Sequence, residues 1–86
     1  MAIPALKTNG TWGDWASSIN QGMTNMNLAK SKKLNNGSES LKTWKDKINF
    51  FISYVNTKKS KSFPLLQDEE DIQIWRNKIN AVLDVC

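Results

Sequence analysis

The chain has 86 residues, a formal net charge of +4 and no histidine. A chain of this length forms at most one domain, whose folding removes only about 60–65% of the unfolded surface from water. The absence of histidine removes the usual general base near neutral pH and the usual metal ligand. The single cysteine, Cys86, excludes an internal disulfide. We interpret it as a small apolar residue ending the last helix, with pairing to a second copy as the alternative.

The first predicted element is an extended arm formed by residues 1–10. It contains Pro4, shows no helical periodicity and precedes the first helix-capping signal. It lacks the apolar run of a signal peptide, and no stretch of the chain approaches the ~20 apolar residues of a membrane span. A free arm loses ~1–2 kcal/mol of backbone entropy per residue on ordering. We therefore expect Ile3 and Leu6 to enter pockets of a partner subunit. The alternative is that the arm folds back over its own core.

Residues 11–86 are organised by one pattern, Trp-x-x-x-Ile-Asn, which occurs three times. The copies are Trp15–Asn20, Trp44–Asn49 and Trp75–Asn80, with their tryptophans 29 and 31 residues apart. Apolar residues also stand three positions before and eight and eleven positions after each tryptophan. These offsets fall on one face of a helix with 3.6 residues per turn. The sequence therefore predicts an all-α domain of three amphipathic helices from an internal repeat of about 30 residues.

Capping signals place the three helices at about 11–34, 39–57 and 68–85. Thr11 and Asp14 predict a capping box at the first start, and Asn35-Asn36-Gly37 predicts the end of that helix. Asp68 is expected to cap the third helix, with the acidic residues 69–71 filling its first turn.

The repeat tryptophans and asparagines are the candidate binding residues. Burial in a thin core is the structural interpretation of the tryptophans. Trp12, which has no tryptophan counterpart in the other copies, is expected to anchor a partner together with Trp15, at the end of the arm. Asn20, Asn49 and Asn80 flank the apolar face. They are either tolerated surface residues, or their amides hydrogen-bond across helices or to the backbone of an incoming strand, which makes them partner-binding candidates.

Six lysines form two clusters that could contact phosphate, namely Lys30, Lys32, Lys33, Lys58, Lys59 and Lys61. Their structural interpretation is that cations complement helix C-termini. No helix-turn-helix, zinc-finger or RNA-binding motif accompanies them. The sequence also has no Gly-rich phosphate loop, no Cys/His ligand cluster and no Ser/His/Asp set. It therefore predicts no enzymatic activity, no catalytic residue, no metal site and no cofactor.

The segment Thr11-Trp12-Gly13-Asp14-Trp15-x-x-x-Ile19-Asn20, followed by Met23 and Asn27, resembles the opening of bacteriophage tail-fibre and tail-spike proteins. In those proteins a short arm leads into a helix of this form, and this N-terminal part fastens the fibre to the virion. The resemblance covers residues 1–28. In place of a fibre shaft, two further copies of the helix follow.

The leading hypothesis from the sequence is a small structural protein of a phage particle, at the tail, neck or fibre attachment. It would be made in the host cytoplasm and would dock on other virion proteins through its arm and its Trp-bearing helices, or on further copies of itself. The alternatives are a small basic nucleic-acid-binding or regulatory protein and an inhibitor of a host protein. No membrane partner is expected.

Overall fold

The computed structural model describes residues 11–34 and 40–86, and the predicted arm and Asn35-Asn36-Gly37 lie outside these residues. Within them the chain is helical, with no strand, which confirms the predicted all-α class. The three α-helices are α1 (Trp12–Asn25), α2 (Leu41–Lys59) and α3 (Ile72–Leu83).

Helix α1 begins with the predicted capping box. The Asp14 N–H donates to the Thr11 hydroxyl at 3.2 Å, and the Thr11 N–H donates to the Asp14 carboxylate at 3.3 Å. The box satisfies two N–H groups at the helix start that would otherwise have no partner.

The prediction that α1 continues to residue 34 is wrong, because the helix ends at Asn25. Asn27 adopts a left-handed conformation (φ 63°), and the Leu28 N–H donates to the Met23 carbonyl at 2.9 Å. This is the Schellman arrangement, in which a left-handed residue lets the chain leave the helix. A short 3₁₀ turn, Lys30–Lys32, follows. The helix ends early because Leu34 returns to contact Asn20, and a continuous helix would place these residues about 21 Å apart.

Helix α2 begins after Ser40, whose hydroxyl accepts the Thr43 N–H at 3.2 Å. It extends two residues past the predicted end and stops at Lys59. Ser60 then adopts a left-handed conformation (φ 56°), and the Lys61 N–H donates to the Asn56 carbonyl at 3.0 Å. The chain therefore leaves α2 by the same kind of turn that ends α1.

Helix α3 begins at Ile72, not at residue 68 as predicted. Its cap is Asp71, whose carboxylate accepts the N–H groups of Gln73 and Ile74 at 2.8 and 3.2 Å. The acidic residues expected in the first turn therefore precede the helix. Asp68 lies in the turn before it and pairs with Lys45 of α2.

The core is built mainly from the repeat tryptophans and from the apolar residues four and eight positions after each of them. The repeat tryptophans, Trp15, Trp44 and Trp75, are 5–6% exposed, and the three isoleucines that follow them are at most 1% exposed. Their predicted burial is confirmed. Leu34 and Leu66, from the segments that precede α2 and α3, complete the core.

Gly22 sets how closely α1 approaches the other two helices. A Cβ atom at this position would lie 2.8 Å from a methyl of Leu83 and 2.9 Å from Cζ of Phe51. Seven residues after the repeat tryptophan, the three helices carry Gly22, Phe51 and Val82. A large ring from α2 thus fills the space that glycine leaves on α1.

No helix of the described residues is long and apolar enough to cross a membrane.

Candidate binding surfaces

One end of the bundle exposes three apolar side chains from equivalent positions of the repeat. Trp12, Leu41 and Ile72 each stand three residues before a repeat tryptophan, and they are 47%, 53% and 43% exposed. Each is the first residue of its helix, so no earlier turn of the same helix lies over it. We call these three residues the end patch. Large exposed apolar side chains that lie together mark interaction sites more often than scattered ones do.

The end patch lines a shallow groove of about 450 Å³. The other residues lining it are Lys42, Lys45, Asp68, Glu70 and Trp75. Trp12 packs edge-on against Trp15 and Trp44, with ring centroids 5.3 and 5.4 Å apart. These contacts hold the Trp12 ring in place while leaving half of it accessible, so part of the binding surface is ordered before a partner arrives.

Ion pairs balance the charges beside the groove. Lys45 of α2 binds Asp68, and this hydrogen bond raises the pKa of Lys45 and lowers that of Asp68. Lys78 of α3 binds Glu70, which lowers the pKa of that carboxyl, with a further contribution from the Gln67 N–H. The pKa shifts of Lys45, Asp68 and Glu70 all favour their charged forms. The groove is lined by two lysines, Lys42 and Lys45, and by two acidic residues, Asp68 and Glu70, so its formal net charge is small.

Two repeat asparagines hold the backbone of the connecting segments. The Asn20 amide accepts the Leu34 N–H at 2.8 Å and donates to the Leu34 carbonyl at 3.0 Å. Asn49 makes the same pair of bonds to Leu66, at 2.7 and 3.1 Å. A primary amide can serve one N–H and one C=O at once, which an extended backbone presents together. We call each two-bond arrangement an Asn clamp.

A lysine from the following helix holds the residue before each clamped leucine. Lys47 of α2 donates to the Lys33 carbonyl at 2.8 Å, and Lys78 of α3 donates to the Leu65 carbonyl at 2.9 Å. Both lysines stand three residues after a repeat tryptophan. Each connecting segment therefore lies between two helices that bind two successive residues of its backbone and bury a leucine. We call this arrangement a backbone cradle.

The structure corrects several of the predicted partner-binding residues. Trp15 is buried in the core, so it is not available to a partner. Asn20 and Asn49 hydrogen-bond to extended backbone, as one sequence interpretation held, but this backbone belongs to their own chain. Trp12 is exposed, as a partner anchor requires. Asn80 is partly buried on α3, and Ile3 and Leu6 lie outside the described residues.

The two lysine clusters lie on different segments. Lys30 and Lys32 belong to the 3₁₀ turn after α1 and Lys33 follows it, whereas Lys58 and Lys59 end α2 and Lys61 lies just beyond. The Lys32 ammonium lies 4.5 Å from the centre of the Phe50 ring, and that of Lys58 lies 5.6 Å from the Tyr54 ring. Both contacts are cation–π interactions within the fold.

The thiol of Cys86 is free and partly buried. Burial raises the pKa of the Cys86 thiol, so it is protonated and weakly nucleophilic near neutral pH. In the part of the chain that the structure describes, no three Cys, Asp or Glu side chains come together in a way that could hold a metal ion.

The sequence did not predict that Leu41 and Ile72 are exposed. It also did not predict that Lys47 and Lys78 bind backbone carbonyl groups. A signal for the lysines was present, since both stand three residues after a repeat tryptophan.

Comparison with protein-family models, with curated proteins and with solved structures found no match for this chain.

Proposed function

We propose that this protein is a non-enzymatic docking protein that attaches to another protein subunit through the end patch. The observation that carries the proposal is the joint exposure of Trp12, Leu41 and Ile72 beside one groove. Tryptophan is enriched among the residues that dominate binding energy at interfaces. The contacts of Trp12 with Trp15 and Trp44 reduce the entropy that its ring would lose on binding.

The chemistry of the groove indicates the chemistry of the partner. Its apolar residues favour apolar side chains, and its paired charges favour a partner without a strong net charge in the contact. A volume of about 450 Å³ accommodates one or two inserted side chains. The partner is therefore a protein subunit that inserts apolar side chains between the first turns of the three helices.

The resemblance of residues 1–28 to the attachment segments of phage tail-fibre and tail-spike proteins supports a more specific proposal. The protein is a virion component at the tail, neck or fibre attachment, made in the host cytoplasm and docked on other virion proteins. The arm, with Ile3, extends the same contact because it leads directly into Trp12. The lysine clusters lie on separate segments, so a nucleic-acid function gains no specific support.

The proposal is tested by incorporation into particles. Purified virions should contain the protein by mass spectrometry, and a variant with Ile72→Asp should be absent from them, because a carboxylate at the end patch loses its solvation on docking. The matched control is Ile74→Asp, since Ile74 is 42% exposed on the same helix but does not line the groove. This control variant should be incorporated normally.

Two results would count against the proposal. If purified virions lack the protein, it is not a component of the particle. If both variants are incorporated equally, the end patch is not the docking surface. A separate measurement tests the nucleic-acid alternative. If the protein acts by binding nucleic acid, its affinity for duplex DNA should fall steeply between low and moderate salt. Docking through the end patch should be nearly independent of salt, because it depends on apolar contact.

A further inference from the structure

One arginine on α3 carries a buried donor that the fold does not use. The Nε atom of Arg76 is buried and has no hydrogen-bond partner in the part of the chain that the structure describes. The ion pairs between described residues all involve lysine, and none includes Arg76. Most buried polar atoms of folded proteins have a partner, because an unpaired one loses its hydrogen bonds to water without replacement. The buried N–H of Arg76 is therefore a candidate site for an external acceptor.

Arg76 lies beside the end patch, on the flank of α3 that faces α1. Ile72, Arg76 and Leu83 share one side of this helix, since positions four and seven residues apart are about one and two turns apart. Leu83 faces Gly22 of α1. Ile72 belongs to the end patch and stands one turn, about 6 Å along the helix axis, before Arg76. A group bound at Arg76 is therefore within reach of a side chain that enters the groove.

The repeat supplies a precedent for the ligand. Arg76 stands one residue after Trp75, and Lys45 stands one residue after Trp44. Lys45 binds the carboxylate of Asp68 beside the groove. The same repeat position thus carries a cation on both helices, and on α2 this cation is paired with a carboxylate. A guanidinium presents its Nε–H and one terminal N–H side by side, which is the geometry that the two oxygens of a carboxylate accept.

We propose that Arg76 binds a carboxylate of the docked partner subunit, through Nε and one terminal nitrogen of its guanidinium. This proposal rests on the proposed function and deepens it. It defines the partner as one that presents an Asp or Glu side chain about one helical turn from the apolar side chains that enter the groove. A carboxylate is favoured over a neutral acceptor, because hydrogen bonds between ionised groups are about twice as strong as neutral ones. Arginine, like tryptophan, is enriched among the residues that dominate binding energy at interfaces.

The test uses the full-length, isotope-labelled protein and two small probes. Hydrocinnamate carries a phenyl ring joined to a carboxylate by two methylene groups, and hydrocinnamamide is its neutral counterpart. In nuclear magnetic resonance spectra the indole N–H of Trp12 reports contact with the end patch, and the Nε–H of Arg76 reports the carboxylate. Both probes should shift the Trp12 resonance, whereas only hydrocinnamate should shift that of Arg76. At constant ionic strength the acid should bind at least about fivefold more tightly than the amide.

Matched variants separate Arg76 from the other cations beside the groove. Arg76→Gln removes the guanidinium, so the preference for the acid should fall below about twofold. Lys42→Gln removes an equal charge from a largely exposed side chain that lines the groove, and it should keep the preference. If Arg76→Gln does not fold, the Arg76 resonance of the unaltered protein decides. Equal loss of the preference in both variants would assign it to general charge and overturn the proposal.

The outcomes separate this proposal from the proposed function. If both probes shift Trp12 but neither shifts Arg76, or if acid and amide bind equally, the carboxylate site is overturned and the end patch stands. If only the Arg76 resonance moves, and only with the acid, the carboxylate site is supported and the end patch is not. If neither resonance moves with either probe, both proposals are wrong.

Discussion

Two layers of the bundle, one helical turn apart, show how position decides the use of an apolar side chain. In the inner layer the repeat tryptophans are 5–6% exposed. Three residues earlier, the end patch contains equally apolar side chains that are about half exposed. The difference arises because the inner layer is covered on both sides, whereas the outer layer lies in the first turn of each helix. Apolar residues in a terminal turn can therefore serve a partner without weakening the core.

The largest expected loss of stability comes from a substitution in the inner layer, and the same kind of substitution in the end patch provides the comparison. Ile48→Ala should lower the free energy of unfolding by ~2–5 kcal/mol, because Ile48 is fully buried and its loss leaves a cavity. Leu41→Ala, on the same helix but in the end patch, should cost less than ~1 kcal/mol, because much of that side chain is already in water. Urea denaturation measures both. Equal losses would mean that the end patch belongs to the core.

A smaller loss of stability is expected when an Asn clamp, which joins a helix to a connecting segment, is removed. Asn49→Ala leaves both the N–H and the carbonyl of Leu66 without their partner, and we expect a loss of ~1–3 kcal/mol in unfolding free energy. Asn77→Ala, at an exposed position of α3, should change stability by less than ~0.5 kcal/mol. The same denaturation measurement applies. An unchanged midpoint for Asn49→Ala would show that water replaces the clamp without cost.

The smallest expected effect concerns the close approach at Gly22. Gly22→Ala crowds Phe51 and Leu83, an overpacking cost of ~1–3 kcal/mol. The higher helix propensity of alanine offsets about 1 kcal/mol of it. We expect a net loss of ~1 kcal/mol in thermal or urea denaturation.

A second background tests the cause of that loss. In Phe51→Leu the nearest ring atom is gone, so Gly22→Ala should cost less there than in the unaltered protein. A cost that is the same in both backgrounds would assign the strain to another contact.

Much of the fold could be predicted because its determinants lie close together in the chain. The helical periodicity predicted three helices, and the Thr11–Asp14 capping box is present as expected. The end of α1 could not be predicted in this way. The early exit at Asn27 depends on Leu34 reaching back to Asn20, a contact between residues fourteen positions apart. The start of α3 was misplaced for a similar reason, since Asp68 pairs with Lys45 of α2 and does not cap the helix.

The candidate binding surface was predicted in part. Trp12 stood out because no tryptophan occupies its place in the other copies, and the structure leaves it half exposed. Leu41 and Ile72 were assigned to the same apolar face as the core residues, and their sequence positions contain nothing that distinguishes exposed from buried. The asparagines were recognised as recurrent, but whether they serve this chain or a partner depended on which backbone lies beside them.

The sequence by itself determined the helical class, the first cap and the identity of the buried isoleucines. These features depend on periodicity and on hydrogen bonds across three or four residues, so local residue types are sufficient. The tertiary structure alone decided which apolar turn lies uncovered at the end of the bundle and which backbone each asparagine holds. Those outcomes depend on groups fourteen or more positions apart, such as Asn20 with Leu34 and Asn49 with Leu66, which only the folded chain brings together.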